Sequence, residues 1–213
     1  MKGKLILFTS YAPGAGKTFH MLSYANSLAQ RGSVYYGYVN HQPGRAFTQE
    51  YQKASHPLPR FQANLDVEGI VSMRPDYVVV DELMFWNRNT KKRLYQDIEN
   101  LLDCGISVIS CCNLRMFERV NQRCEKSSNI RFRNTIPDNY FENISEIHFI
   151  DIDERKLQDR YIAGKLFENK TKLLDRYFDI SVLQEYRKIA LEELKKYERE
   201  YPHVTTLCER VCK

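Results

Sequence analysis

A chain of 213 residues, 43% of them hydrophobic and 28% charged, suits one α/β domain with an appendage or two small domains, and can bury a sizeable core. Its net charge of +5 permits contact with nucleic acid or an anionic membrane surface but demands neither. No apolar run approaches bilayer length, and the six cysteines include no C-x-x-C pair and follow no signal peptide, so a membrane span and a secreted disulfide scaffold are both excluded and reduced, cytosolic thiols are expected.

In chain order, Leu5 to Thr9 predicts a short buried strand. The helix behind it carries Leu22, Ala25 and Leu28 on one face, with Gly32 placed as its C′ residue. Val34 to Val39 predicts a second strand, and residues 40 to 46 a loop. Asp66 to Met73 reads as a short helix ended by Arg74-Pro75. Tyr77 to Asp81 is apolar on both faces, as in a parallel sheet covered by helices. A helix is expected from Thr90 to Asp103, with Gly105 as C′, and a strand from Ile106 to Cys112. Leu114 to Cys124 predicts a helix, Ile130 to Thr135 an extended segment, Glu146 to Ile152 a strand and Asp153 to Ala163 a helix. Leu183, Tyr186, Ala190, Leu194 and Tyr197 recur at helical spacing, and Glu192 and Lys196 form a helix-supporting pair. The stretch from His203 to Lys213 carries no clear pattern, although Cys208 and Cys212 have the spacing of one helix face, where they read as ordinary helix residues rather than metal ligands. Strands alternating with helices give an α/β fold, and the glycine-rich turn between the first strand and the first helix makes it P-loop NTPase-like: a mainly parallel sheet with helices on both faces over residues 1–164, then a helical C-terminal appendage over 165–213.

The strongest chemical signal is Tyr11-Ala12-Pro13-Gly14-Ala15-Gly16-Lys17-Thr18, which follows a strand and opens a helix. It meets the pattern G-x-x-x-x-G-K-[ST] at every position but the first, where Tyr11 requires ordinary backbone angles. Gly14 and Gly16 let the backbone curl so that its N–H groups converge on phosphates, and the helix N-terminus adds positive partial charge. Lys17 would reach the β- and γ-phosphates, and the Thr18 hydroxyl would ligate Mg²⁺. The cofactor-binding stretch therefore runs from Ala12 through Thr18 to Phe19. The bland alternative is a glycine-rich turn with an accidental lysine.

"YVVVDEL" supplies a second motif. Asp81 at the carboxyl end of its strand would hold the Mg²⁺ through a bound water, and Glu82, a catalytic candidate with Lys17, would orient or deprotonate an attacking water. Asn113 ends the next strand, as a γ-phosphate sensor or as the cap of the helix that follows. Arg45, Lys91, Lys92 and Arg93 are candidate anion contacts, at least two of them better read as a solvated face. Phe85 and Trp86 read as packing residues, and His20 and His41 lack metal-ligand spacing. "NKTK" at 169–172 lacks the aspartate of a guanine-reading tetrad, so ATP is the expected nucleotide.

Together "APGAGKT", "YGYVNHQPGR", "VVVDEL", "KRLYQDIENLLDCGISV", "CCNL", "RFRNTIPDNYF", "ISEIHFIDI" and "AGKLFE" resemble the N-terminal cytosolic domain of the KdpD family of potassium sensor histidine kinases, from about residue 3 to about residue 195. The resemblance implies an ATP-binding input domain that regulates the balance of kinase and phosphatase activities in response to potassium and osmotic stress. It carries the Walker A positions to Gly14, Gly16, Lys17 and Thr18, and the Walker B acids to Asp81 and Glu82. The chain departs from the family at Asn40 and the proline of "HQPGR", and at Met84-Phe85-Trp86, departures that touch hydrolysis and signalling contacts more than nucleotide binding. No phosphoacceptor-histidine box or kinase core is readable, so an excised domain or a short stand-alone relative is expected, at most a slow ATPase, unable by itself to phosphorylate a response regulator.

The expected partners are a nucleotide and the other domains of a sensor kinase, or a separate membrane-bound sensor. Nucleic acid and direct membrane insertion are not expected, self-association is compatible with the sequence, and the expected location is the cytoplasm. Two other function classes fit parts of the pattern: a small-molecule kinase acting on a nucleoside-like acceptor, and an interaction domain whose site holds no nucleotide.

Overall fold

The computed structural model describes residues 2–39, 64–167 and 169–211. Its sheet strands are β1 (Leu5–Ser10), β2 (Val34–Tyr38), β3 (Tyr77–Val80), β6 (Ser107–Asn113), β7 (Ile144–Ile152) and β8 (Thr205–Val211). They form one six-stranded sheet in the order β2-β3-β6-β1-β7-β8, mainly parallel and surrounded by helices, as the P-loop NTPase-like reading requires. A separate two-stranded arm pairs β4 (Trp86–Asn87) with β5 (Lys92–Arg93). Over the described residues the chain falls into two compact units: one from Met1–Phe8, Lys17–Cys112 and Asn143–Glu146, the other from Thr9–Gly16, Asn113–Glu142 and Ile147–Lys213.

The first unit is built on strands that bury both faces. Leu5 to Phe8 and Val78 to Val80 are all buried, the pattern of strands covered on both sides. β2 and β3 run parallel with Val34 opposite Tyr77, and the register slips between Tyr36 and Tyr38. Gly37 sits at that slip because a Cβ there would meet Leu65 Cδ1 at 2.8 Å and Val78 Cγ1 at 2.9 Å. β3 and β6 are parallel in unbroken register from Tyr77 opposite Ser107 to Val80 opposite Ser110. Helix α1 (Lys17–Leu28) buries Met21, Leu22 and Ala25. Gly32 is absent from the left-handed glycines, so it is not the C′ residue the sequence suggests; its constraint is Asp76, whose Oδ2 lies 3.2 Å from where a Cβ would be. Helix α2 (Val67–Met73) starts as predicted, with the Asp66 side chain accepting from the Gly69 N–H.

Helix α3 (Leu94–Asp103) begins four residues later than Thr90, because the β4–β5 arm occupies the stretch before it. Asp97 anchors that arm: its Oδ2 accepts from Asn87 Nδ2 at 2.8 Å and from the Thr90 hydroxyl at 2.9 Å. Gly105, at φ 84°, follows α3 as expected.

The second unit is mostly helical. The segment expected as one helix from Leu114 is a 3-10 turn (Leu114–Met116) and then α4 (Glu118–Ser128). The break is at Phe117, which bridges Ile136, while Ile136 N–H donates to the Met116 carbonyl at 2.7 Å. Ile130 to Thr135 forms no strand. Helix α5 (Glu154–Ile162) is capped by Asp153, helix α6 (Lys172–Tyr177) by Thr171, and α7 (Ile180–Glu200) by Asp179. α7 buries all five residues of the predicted stripe, and Ile189 and Glu193 besides. Glu193 is held by Arg123 Nη1 at 2.6 Å and Lys196 Nζ at 2.7 Å. β8 is a strand where the sequence carried no pattern. It places Cys208 on an exposed strand rather than on a helix face, and Cys212 lies outside the described residues.

The packing of this unit centres on Arg115, which is buried. Its guanidinium donates to the Tyr186 hydroxyl at 2.6 Å, to Asn121 Oδ1 at 3.4 Å and to the Ile130 carbonyl. It lies 4.2 Å from the Phe132 ring centre and 4.6 Å from that of Tyr186. No carboxylate pairs with it among the described residues, so the aromatic faces and neutral acceptors carry the cost of burying this charge. Arg115→Ala is expected to destabilise the chain by about 3–5 kcal/mol, from the cavity and the acceptors left bare. Urea unfolding checks this, and a loss under about 1 kcal/mol would contradict the role given to Arg115.

Candidate functional site

The loop at 11–18 belongs in part to each unit, so its two portions are taken in turn. In the first unit, α1 opens with Lys17 and Thr18, both buried. The parallel pairing of β3 with β6 sets Val80 opposite Ser110, and Asp81 follows β3 directly, level with Cys111. The Asp81 backbone N–H donates to the Tyr38 carbonyl at 2.8 Å, and Leu83 N–H donates to the Cys111 carbonyl at 3.0 Å. Asp81 Oδ1 then accepts from the Cys111 thiol at 2.8 Å and from the Thr18 hydroxyl at 3.3 Å, and Thr18 Oγ1 lies 4.0 Å from Cys111 Sγ.

Neighbouring residues of a strand point to opposite faces, so Asp81 and Glu82 would ordinarily diverge. Glu82 has φ 63°, a left-handed conformation that costs a non-glycine residue about 1–2 kcal/mol. A ligand atom of Asp81, one of Glu82 and the Cys111 sulfur all lie within 4.8 Å of one another. The two carboxylates, with the Thr18 hydroxyl on Asp81, are hard oxygen donors of the kind Mg²⁺ takes, so these oxygens fit the cation the sequence implies, while the soft Cys111 sulfur beside them is not a donor for it. Burial first, then the charges of Asp81 and Glu82, pushes the Cys111 thiol well above its ordinary range. The same causes in the same order push up the Tyr38 phenol.

In the second unit, the loop portion Thr9–Gly16 curls through Gly14 at φ 87° and Gly16 at φ 101°. Successive N–H groups in such alternating conformations make concavities suited to anions. Tyr11, where the motif has glycine, is not among the left-handed residues, and its ring is buried. Its hydroxyl donates to the Ile152 carbonyl at 3.0 Å, so the ring points into the core of its unit. Burial, followed by the charge of Glu154, raises the Tyr11 phenol far above its ordinary range and keeps it a neutral donor. The Ser10 hydroxyl donates to the Ala12 carbonyl at 2.6 Å. Arg160, on α5, donates from Nη1 to the Gly14 carbonyl at 2.7 Å.

The remaining candidates divide. Asn113 ends β6 and is buried, but its side chain does not cap the 3-10 turn that follows. Phe19 is 38% exposed on α1, edge-on to His20 at 5.5 Å. Lys91 and Lys92 are exposed, whereas Arg93 donates to the Met84 carbonyl at 2.9 Å and lies 5.4 Å from the Trp86 ring centre. Phe85 stacks on Tyr38 at 4.8 Å while staying 38% exposed, packing only in part. Arg45 and His41 fall outside the described residues. Sequence reasoning passed over Cys111 and Arg160: a cysteine inside an apolar strand and an arginine on a polar helix carry no local mark of their partners, which are 30 and 146 residues away in the chain.

The thiols give a direct check on this geometry. Cys111, Cys112 and Cys124 are buried, whereas Cys104 and Cys208 are exposed. Burial pushes Cys124 up to about 12. At about pH 8 the folded chain is expected to be alkylated at Cys104 and Cys208 and spared at the three buried positions, as peptide mass spectrometry would show. Raised folded-state values favour the protonated thiol, so Cys124 stabilises the fold fully below the ordinary thiol range near pH 9 and loses that contribution as pH rises toward about 12, and Cys111, raised by the same burial, acts in the same direction. Rapid alkylation of Cys111 in the folded chain would contradict this arrangement.

Residues 1–197 match the family model described as the osmosensitive K+ channel His kinase sensor domain, KdpD. The chain is 30% identical over 205 residues to the sensor protein KdpD of Clostridium acetobutylicum, and 31% identical over 203 residues to that of Mycobacterium tuberculosis. Each match covers 89% of this chain but only 22% and 24% of the relative, so the chain spans under a quarter of the length of these proteins. No helix among the described residues is long and apolar enough to cross a membrane. With nearly all of its length inside that model and the same relatives matching along it, this chain belongs to the KdpD family of sensor domains.

Proposed function

We propose that this chain is the ATP-binding input domain of a KdpD-type sensor kinase, one whose nucleotide state biases the balance between kinase and phosphatase activities in a potassium or osmotic response. The observation that carries the reading is the Thr18 hydroxyl on Asp81 at 3.3 Å, with the Glu82 carboxylate turned back toward the same aspartate. The amides of Ala12 to Gly16 bind the phosphates, and Lys17, next in the chain, neutralises the β- and γ-phosphates. Thr18 and Asp81 would hold Mg²⁺, which when bound would supply charge neutralisation at the phosphates. Glu82 positions a water and accepts its proton. Phe19 and Asn113 remain the further nucleotide contacts that the sequence names. The partners are the other domains of the sensor, or a separate membrane-bound sensor, on the cytoplasmic side. Ordering of the site by ATP is the signal they read.

Phosphoryl-transfer sites without an inserted arginine turn over slowly, on the order of 10⁻⁴ to 10⁻² per second, so this domain binds nucleotide far faster than it consumes it. Calorimetry with Mg-ATP tests the reading. Lys17→Ala is expected to weaken binding about ten- to a hundredfold, equivalent to about 1.5–3 kcal/mol. Equal affinity in wild type and variant, or an ATPase rate above about 1 per second, would overturn it. One observation favours a second reading, a small-molecule kinase: Phe85, 38% exposed, stacks on Tyr38 beside Asp81 and offers an apolar surface to an acceptor. A screen of nucleosides for ATP-dependent phosphorylation separates the two.

A further inference from the structure

The phosphate-binding loop of the proposed site is braced from α5 and the turn behind it, all within the second unit. A Cβ on Gly14 would fall 2.5 Å and 2.7 Å from the two Leu166 methyls and 3.2 Å from Leu157 Cδ1, so backbone and leucines are in tight contact. Arg160, in the last turn of α5, adds a charged contact, from Nη1 to the Gly14 carbonyl at 2.7 Å. No carboxylate forms an ion pair with Arg160 among the described residues, so its charge is directed at a backbone acceptor.

Resting on the nucleotide reading above, we propose that Arg160 is a positioning residue that polarises the Gly14–Ala15 peptide and so strengthens the Ala15 N–H as a phosphate donor. The peptide is trans, so the Gly14 carbonyl and the Ala15 N–H point in opposite directions. A cation that donates to the carbonyl draws electron density away from the N–H on the opposite side of the peptide. Hydrogen bonds in a chain strengthen one another in this way, and charged donors do so most. Positive charge thus reaches an anion in the loop through a peptide group, without the guanidinium touching the ligand. The Tyr11 hydroxyl on Ile152 fixes the other end of the same loop, so the polarised amide is held in place.

A clamp that acted only by packing would depend on the side chain's stem, whereas polarisation depends on its charge. Arg160→Lys keeps charge and a donor, Arg160→Gln keeps a donor without charge, and Arg160→Met keeps the stem alone. Mg-ATP affinity by calorimetry is expected to stay within about twofold of wild type in the Lys variant and to fall about three- to tenfold in both the Gln and Met variants. The thermal midpoint is expected to be the same in all four proteins. The readout specific to polarisation is the Ala15 amide proton in ¹⁵N-resolved NMR, which is expected to move downfield when Mg-ATP is added, less so in Arg160→Gln than in wild type or Arg160→Lys. Equal affinity and equal Ala15 shifts in the Gln and Lys variants would overturn the proposal and leave the nucleotide reading standing. A wild-type chain that takes up no Mg-ATP would overturn both.

Discussion

A carboxylate taken out of water has to find donors, and the candidate site is organised around that requirement at Asp81. The residue is fully buried, and burying an uncompensated carboxylate costs several kcal/mol. Its partners come from two other elements: the hydroxyl of Thr18 from the first turn of α1 and the thiol of Cys111 from β6. That convergence is possible because β3 and β6 are parallel and in register up to Val80 opposite Ser110, which sets the next residues, Asp81 and Cys111, side by side. An antiparallel neighbour would have presented its opposite end. The first turn of α1 is thereby tied to the sheet of its unit by a polar contact, where helices normally dock by apolar ones. A cation there would meet oxygens already drawn together, so little ordering cost is left for binding to meet.

The second unit solves a different burial problem with similar means. Arg115 has no carboxylate partner among the described residues, and its charge is met by ring faces, a phenol, an amide and a carbonyl. Neutral partners of this kind are specific in shape, since each fixes the direction of one N–H, and they draw α4, α7 and the irregular segment through Ile130 and Phe132 onto one side chain. Glu193 of α7, by contrast, is matched by cations from α4 and from its own helix. α7 is therefore positioned by two buried charges of opposite sign as well as by its apolar stripe.

Local patterns were legible wherever the physics was local. The buried runs of β1, β3 and β6, the helices that begin behind Asp66 and Asp153, and the left-handed Gly14, Gly16 and Gly105 all follow from residue type and spacing. What was lost depended on distant partners. The helix expected from Thr90 starts late because Asp97 captures Asn87 and Thr90 into an arm, a choice that helix propensity does not encode. β8 went unread because its side chains are largely exposed and alternate weakly, so its strand state comes from the neighbour it pairs with. At the site, the lysine, threonine and acids were visible as motifs. Cys111 and Arg160 were not, because a thiol in an apolar strand and an arginine on a helix read as core and surface until the fold supplies their acceptors. The left-handed turn at Glu82 was equally hidden, since glutamate has no preference for it and the surrounding structure imposes it.

Tyr11 shows how a loop can depart from its consensus and keep its curl. A glycine at that position is needed only if the backbone is left-handed or something approaches too closely for a Cβ. Here the left-handed angles fall at Gly14 and Gly16 alone. The ring is buried and its hydroxyl reaches the last residue of β7, 141 residues away. Where a glycine would leave the start of the loop held by backbone geometry, the tyrosine holds it by a side-chain bond to the end of a strand. Asp153, the next residue after that strand, caps the helix that carries Arg160. The start of the loop and its midpoint are thus fastened to two successive elements, β7 and α5, so a displacement of either would reach the loop through a named hydrogen bond. A loop closed by glycine would have no such connection at its first position.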